Sequence, residues 1–175
     1  MKRKLKVIVL VHEDLVPPHH DEVSENDIDW EKAPWETEYD VCKNLRKMGH
    51  KVFPVGIKGE LRPLRQAIEE FKPHIVFNLL EEFDGEAIYD QNVVSYLELA
   101  RVPYTGCNPR GLILARDKAL AKKILTYHRI KTPKFWVFRK NRPTKAPSKL
   151  PFPLIVKCLN EEASLGIAQA SIVNS

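Results

Sequence analysis

Two lysines stand on separate predicted elements, Lys118 in Asp117-Lys118 and Lys157 in Val156-Lys157, and the second is followed by a small-residue loop that ends at Gly166. Two point charges plus the free backbone N–H groups of a flexible loop are what a nucleotide triphosphate requires, the first to neutralise its oxygens and the second to cradle them. The run Pro103-Tyr104-Thr105-Gly106-Cys107-Asn108-Pro109 precedes them and belongs to the same pattern. Earlier in the chain lies a second concentration of chemistry, Glu81-Glu82-Phe83-Asp84-Gly85-Glu86. Clustered carboxylates suit a cationic amine, because opposite charge keeps each carboxylate ionised and holds the ammonium. Read singly, each lysine also fits a solvated surface position, and the glutamates fit a solvated loop. The ordered combination carries the phosphate reading.

The elements that position these groups follow from hydrophobic periodicity. Residues 5–11 form a continuous apolar run, which predicts a strand buried on both faces. Residues 12–30 are polar and acidic and predict a long loop. Helical spacing spans residues 35–48 and stops at Gly49, where a C-terminal cap belongs. Strands are predicted over 51–55 and 75–80, and helices over 61–71, ended by Pro73, and over 88–99. This βαβαβα order predicts a parallel, doubly wound sheet with ligands beyond the strand carboxyl ends. The loops 12–30 and 78–86 then face the site.

Past Gly106 the pattern changes to two helices over 109–115 and 117–127, strands over 132–138, 152–157 and 168–173, and a Pro- and Lys-rich loop over 139–149. The expected division is 1–110 for the α/β domain and 111–175 for an incomplete α+β unit. Too few elements close that second core, so an exposed apolar edge and association of two copies are expected. Asp117 reads as the N-cap of the helix that Lys118 opens. Trp30, Trp35 and Trp136 read as packing residues.

Composition narrows the function classes. The 175 residues are 43% hydrophobic and 29% charged, which suits an ordinary folded chain rather than a disordered one. A net charge of +5 invites a nucleic-acid partner, but the basic residues are scattered and no reader motif is present. The basic start Met1 to Lys6 imitates a signal peptide, yet its apolar run is too short, and no stretch matches a bilayer span, so no membrane partner is expected. Cys42, Cys107 and Cys158 are odd in number and lack C-x-x-C spacing, which argues against a disulfide framework or zinc and for a reducing cytoplasm. Cys107 and Cys158 read as small apolar fillers. His12, His19, His20 and His74 show no repeated metal-ligand spacing.

The order Pro103-Tyr104-Thr105-Gly106, Asp117-Lys118 with Lys122 and Leu125, Thr132-Pro133-x-Phe135, Val156-Lys157 and a loop closing at Gly166 resembles the ATP-grasp carboxylate–amine ligases, most closely D-alanine–D-alanine ligase and its relatives. The resemblance implies a Rossmann-like pre-ATP-grasp domain followed by the first part of an ATP-grasp domain. It implies ATP and Mg2+ as cofactors, with Lys118, Lys157, Ser164 and Gly166 binding ATP. Glu81, Glu82 and Glu86 would hold the amine substrate. The implied reaction activates a carboxylate as an acylphosphate, which an amine then attacks.

Three departures from that pattern bear on activity. Glu162 stands in the phosphate loop where the family has a small residue, and a carboxylate is unfavourable beside phosphate. His12-Glu13-Asp14 occupies the place of the early Gly-Gly-x-Ser-x-Glu motif, which counts against D-alanine as the substrate. The family's magnesium ligands and adenine hinge fall after Ser175, so the chain is expected to be the N-terminal part of a ligase, inactive by itself. A non-catalytic nucleotide-binding or interaction module and a basic nucleic-acid binder are the alternatives from other classes.

Overall fold

The computed structural model describes residues 3–19, 25–139, 141–142, 147, 149–160 and 166–174. The chain divides into two compact units, Met1–Pro109 and Arg110–Ser175.

In the first unit, strands β1 (Lys6–His12), β2 (Lys51–Ile57) and β3 (Ile75–Asn78) form a parallel sheet in the order β2-β1-β3. Leu10 of β1 pairs with Val55 on one side and Asn78 on the other. Helices α1 (Glu36–Lys47), α2 (Arg62–Phe71) and α3 (Asp90–Leu99) cover the sheet. Because strand side chains alternate between faces, Ile8 and Leu10 meet Leu64, Ala67, Val93 and Leu97 of α2 and α3. Val7, Val9 and Val11 meet Cys42 and Leu45 of α1 on the opposite face. This two-sided burial is why β1 is apolar without interruption, and each fully buried Val, Leu or Ile contributes about 1.5–3 kcal/mol.

Helix endings obey local chemistry. Gly49 takes φ +86 after α1, where its missing Cβ removes the left-handed penalty. After α2 it is Lys72 that adopts the left-handed conformation, at φ 49, with Pro73 following. Trp30 and Trp35 pack on Tyr39 of α1, with ring centroids 5.5 and 5.8 Å away.

The Pro103-Tyr104-Thr105-Gly106 run is a sheet edge. The Val76 N–H donates to Pro103 O at 2.8 Å, the Thr105 N–H donates to Val76 O at 3.0 Å, and Tyr104 bridges Val76 in parallel. Thr105 Oγ1 then accepts the Asn78 N–H at 3.0 Å, which ties this run to the start of the acidic loop.

The second unit contains α4 (Pro109–Arg116), α5 (Lys118–Tyr127) and an antiparallel pair, β4 (Leu154–Ile155) with β5 (Ile172–Val173). Four expectations are corrected here. Residues 132–138 form no strand ladder, since β propensity produces a strand only where a neighbour supplies hydrogen bonds. The 152–157 strand shrinks to Leu154–Ile155, its start delayed because Pro153 has no N–H to donate. The last strand shrinks likewise, its first part being a 3-10 turn at Gln169–Ser171. Trp136, expected as a packing residue, is 37% exposed.

Candidate functional site

The carboxyl ends of all three strands are joined by side chains. β1 ends at His12, whose Nδ1 accepts the Asp14 N–H at 3.2 Å and so caps the 3-10 turn Glu13–Leu15. Its Nε2 lies 2.9 Å from Glu82 Oε1 in the loop after β3. Asp14 in turn pairs with Lys58 just beyond β2, Nζ to Oδ2 3.1 Å. That carboxylate raises the Lys58 ammonium above its ordinary range, first by the hydrogen bond and then by Coulombic attraction. The Asp84 N–H closes the ring of contacts by donating to Lys58 O at 2.7 Å.

Two glycines permit these approaches. A Cβ on Gly56 would stand 2.4 Å from Val16 Cγ2 and 2.9 Å from Glu13 Cα, so the turn after β1 reaches β2 only because position 56 has no side chain. Asp84 and Gly85 both have positive φ, 57 and 74, as a tight Asp-Gly turn requires, and Phe83 and Glu86 exchange backbone hydrogen bonds across it.

The three glutamates therefore occupy different environments. Glu82 is half-buried and faces His12, whereas Glu81 and Glu86 are exposed. Sequence reasoning placed His12 near this edge but missed Lys58, whose signal is a lone cation directly after a strand, in Ile57-Lys58-Gly59. It also missed Glu38 in the first turn of α1, which is buried with Oε2 unpaired among the described residues.

In the second unit, Asp117 Oδ1 accepts the Ala119 and Leu120 N–H groups at 3.0 and 2.8 Å, the N-cap expected of it. Lys118 sits in the first turn of α5, and both its N–H and its Nζ reach Leu159 O at 3.4 Å. Lys157, exposed, lies two residues before Leu159. Gly166, at φ 71, packs against Cys158. The segment 157–159 thus carries Lys157 and is touched by both Lys118 and Gly166. Ser164, together with Glu161 and Glu162, falls outside the described residues.

Cys107 and Cys158 are exposed rather than the buried fillers expected, and Cys42 is the buried thiol. Among the described residues no group of three or more His, Cys, Asp or Glu side chains converges as metal ligands would. No helix among them is long and apolar enough to cross a membrane.

Comparison with known proteins gives this geometry a context. Over 129 residues the chain is 40% identical to a D-alanine–D-alanine ligase of Syntrophotalea carbinolica, a match covering 73% of this chain and 40% of the ligase. It is 35% identical over 132 residues to the D-alanine–D-alanine ligase of Pelagibacter ubique, covering 73% and 41%. The chain is a homologue of the D-alanine–D-alanine ligases. This ligase homologue is also 36% identical over 136 residues to the uncharacterised protein y4sG of Sinorhizobium fredii, covering 73% and 38%. It spans about two fifths of the length of these relatives, consistent with an N-terminal portion. No profile of a protein family matches it.

Proposed function

We propose that the chain supplies the N-terminal portion of an ATP-dependent carboxylate–amine ligase acting on small amino-acid-like substrates. The observation that supports this reading is that Lys118 Nζ reaches Leu159 O at 3.4 Å, two residues after Lys157, in a homologue of D-alanine–D-alanine ligases. Lysine ammonium groups suit phosphate oxygens as point charges. ATP, when bound, would supply the activation of a carboxylate as an acylphosphate.

The chain's own residues do the rest. Lys118 and Lys157 neutralise phosphate charge, Gly166 allows the loop end to turn back on Cys158, and Glu82 offers a carboxylate to a substrate ammonium. Asp14 is less available for that role because Lys58 already neutralises it. Mg2+ belongs to the same reading, but no ligand set for it lies among the described residues, so no step here runs through a metal. A cytoplasmic setting follows from the reading too.

The test is titration of the chain with Mg-ATP, followed by competition with a fluorescent ATP analogue. Replacing Lys118 or Lys157 with Met lowers affinity by roughly tenfold, the loss expected for one hydrogen bond to a charged group. Affinity unchanged in both variants would overturn the phosphate assignment.

A further inference from the structure

We infer that His12 is a positioning residue: its imidazole, held as the Nε2–H tautomer, orients Glu82 at the carboxyl edge of the sheet. The inference rests on the ligase reading only for what Glu82 then receives, a cationic amine. Its structural content is independent of that reading.

The tautomer follows from hydrogen-bond bookkeeping. Nδ1 accepts the Asp14 N–H at 3.2 Å, and a ring nitrogen that accepts cannot also carry the proton, so the proton of the neutral ring lies on Nε2. That atom is shielded from solvent and makes no aligned hydrogen bond within the described residues. Glu82 Oε1, 2.9 Å away, is within reach to accept from the buried N–H once the carboxylate turns toward it. A buried donor without an acceptor is unfavourable, which gives the ring a preferred partner and Glu82 a preferred orientation.

The charges around the ring agree with this assignment. Asp14 Oδ2 lies 3.5 Å from Nδ1, but Lys58 draws the same oxygen to 3.1 Å and offsets its charge. Glu13 and Asp14 are exposed, Glu82 is the half-buried acid, and the His12 side chain is only 14% exposed. Among the described residues, Glu82 is the glutamate of the acidic loop that faces a side chain at its carboxylate, that of His12, while Glu81 and Glu86 are exposed. The pairing spans 70 positions and binds the carboxyl end of β1 to the loop after β3, so it sets how Glu82 presents its carboxylate.

The experiment uses the 175-residue chain labelled with 15N-histidine. Two-bond proton–nitrogen correlation at neutral pH, with the His12 signal assigned through His12→Gln, is expected to show a protonated Nε2 and a bare Nδ1. Glu82→Gln is expected to shift the Nε2 resonance. A protonated Nδ1, or a signal that ignores Glu82→Gln, overturns the inference. D-alaninamide, a cation without a carboxylate, then probes the consequence. Gln presents its amide N–H at a reach similar to Nε2, so His12→Gln retains affinity while His12→Leu loses roughly tenfold, the loss expected for a hydrogen bond to a charged group. Equal loss in both variants sinks the positioning role. Absence of D-alaninamide binding by the parent chain, with the tautomer and the Glu82→Gln shift as expected, supports the His12 to Glu82 coupling and sinks a D-alanine-like amine as what Glu82 receives.

Discussion

A Cβ placed on Gly166 would come to 2.9 Å from Cys158 Sγ, inside the distance that carbon and sulfur tolerate, and Gly166 has φ +71 besides. Both facts disfavour a side chain at the point where the chain returns to segment 157–159. Gly166→Ala therefore incurs a left-handed penalty of about 1–2 kcal/mol plus the collision. Urea denaturation measures the total. In a Cys158→Ala background the collision disappears and only the backbone share remains, so the two substitutions are non-additive. Strict additivity would show that the close approach does not exist in solution.

Asp117 caps α5 with two hydrogen bonds and so sets the position of Lys118. Asp117→Ala is expected to destabilise the second unit by about 1 kcal/mol, and Asp117→Asn by far less, because Asn caps as well as Asp. Thermal unfolding followed by circular dichroism distinguishes them. Equal losses would mean that charge, not capping, is what Asp117 supplies.

Thr105 joins the Pro103-Tyr104-Thr105-Gly106 run to the acidic loop through Asn78. Thr105→Val keeps the shape but leaves the Asn78 N–H without its acceptor, a loss of about 1–3 kcal/mol. Thr105→Ser keeps the hydroxyl and retains most of the stability. Hydrogen exchange at the Asn78 amide reads the bond directly: faster exchange in Thr105→Val and not in Thr105→Ser is the expected pattern.

Burial pushes the Cys42 thiol up to about 11 from 9.0, outweighing the opposing pull of Arg46. A raised value means that the folded state holds the proton more tightly than the unfolded chain. The stabilisation is complete below pH 9.0 and disappears as pH rises through 11. Cys42→Ala should lower stability at neutral pH yet flatten its decline across that alkaline window. A thiol reagent near pH 8 should label Cys107 and Cys158 rapidly and Cys42 only on unfolding. Rapid reaction of all three would contradict the buried position.

Much of the first unit was legible from residue order. The unbroken apolar run from Val7 to Val11, the helical spacing before Gly49 and the alternation of strands with helices lead to a parallel sheet by general rules of chain geometry. Those rules worked because each element records its own burial in its periodicity. They failed at 132–138, where Phe135, Trp136, Val137 and Phe138 have strand-forming side chains but no partner ladder. They did not reveal that the Pro103 to Gly106 run is a hydrogen-bonded edge beside β3.

The order of Lys118, Lys157 and Gly166, the N-cap at Asp117 and the acid-rich loop were all determined by sequence alone, because each depends on residue type and near-neighbour spacing. Tertiary structure decided which groups meet. Lys118 reaches Leu159 across 41 positions, His12 reaches Glu82 across 70 and Lys58 reaches Asp14 across 44. The last two meetings come from parallel strands whose carboxyl ends lie side by side, and the crossover helices that make the strands parallel also place those residues far apart in the chain. No local pattern encodes such a contact, since it depends on how the hydrophobic faces of α1, α2 and α3 pack over the sheet.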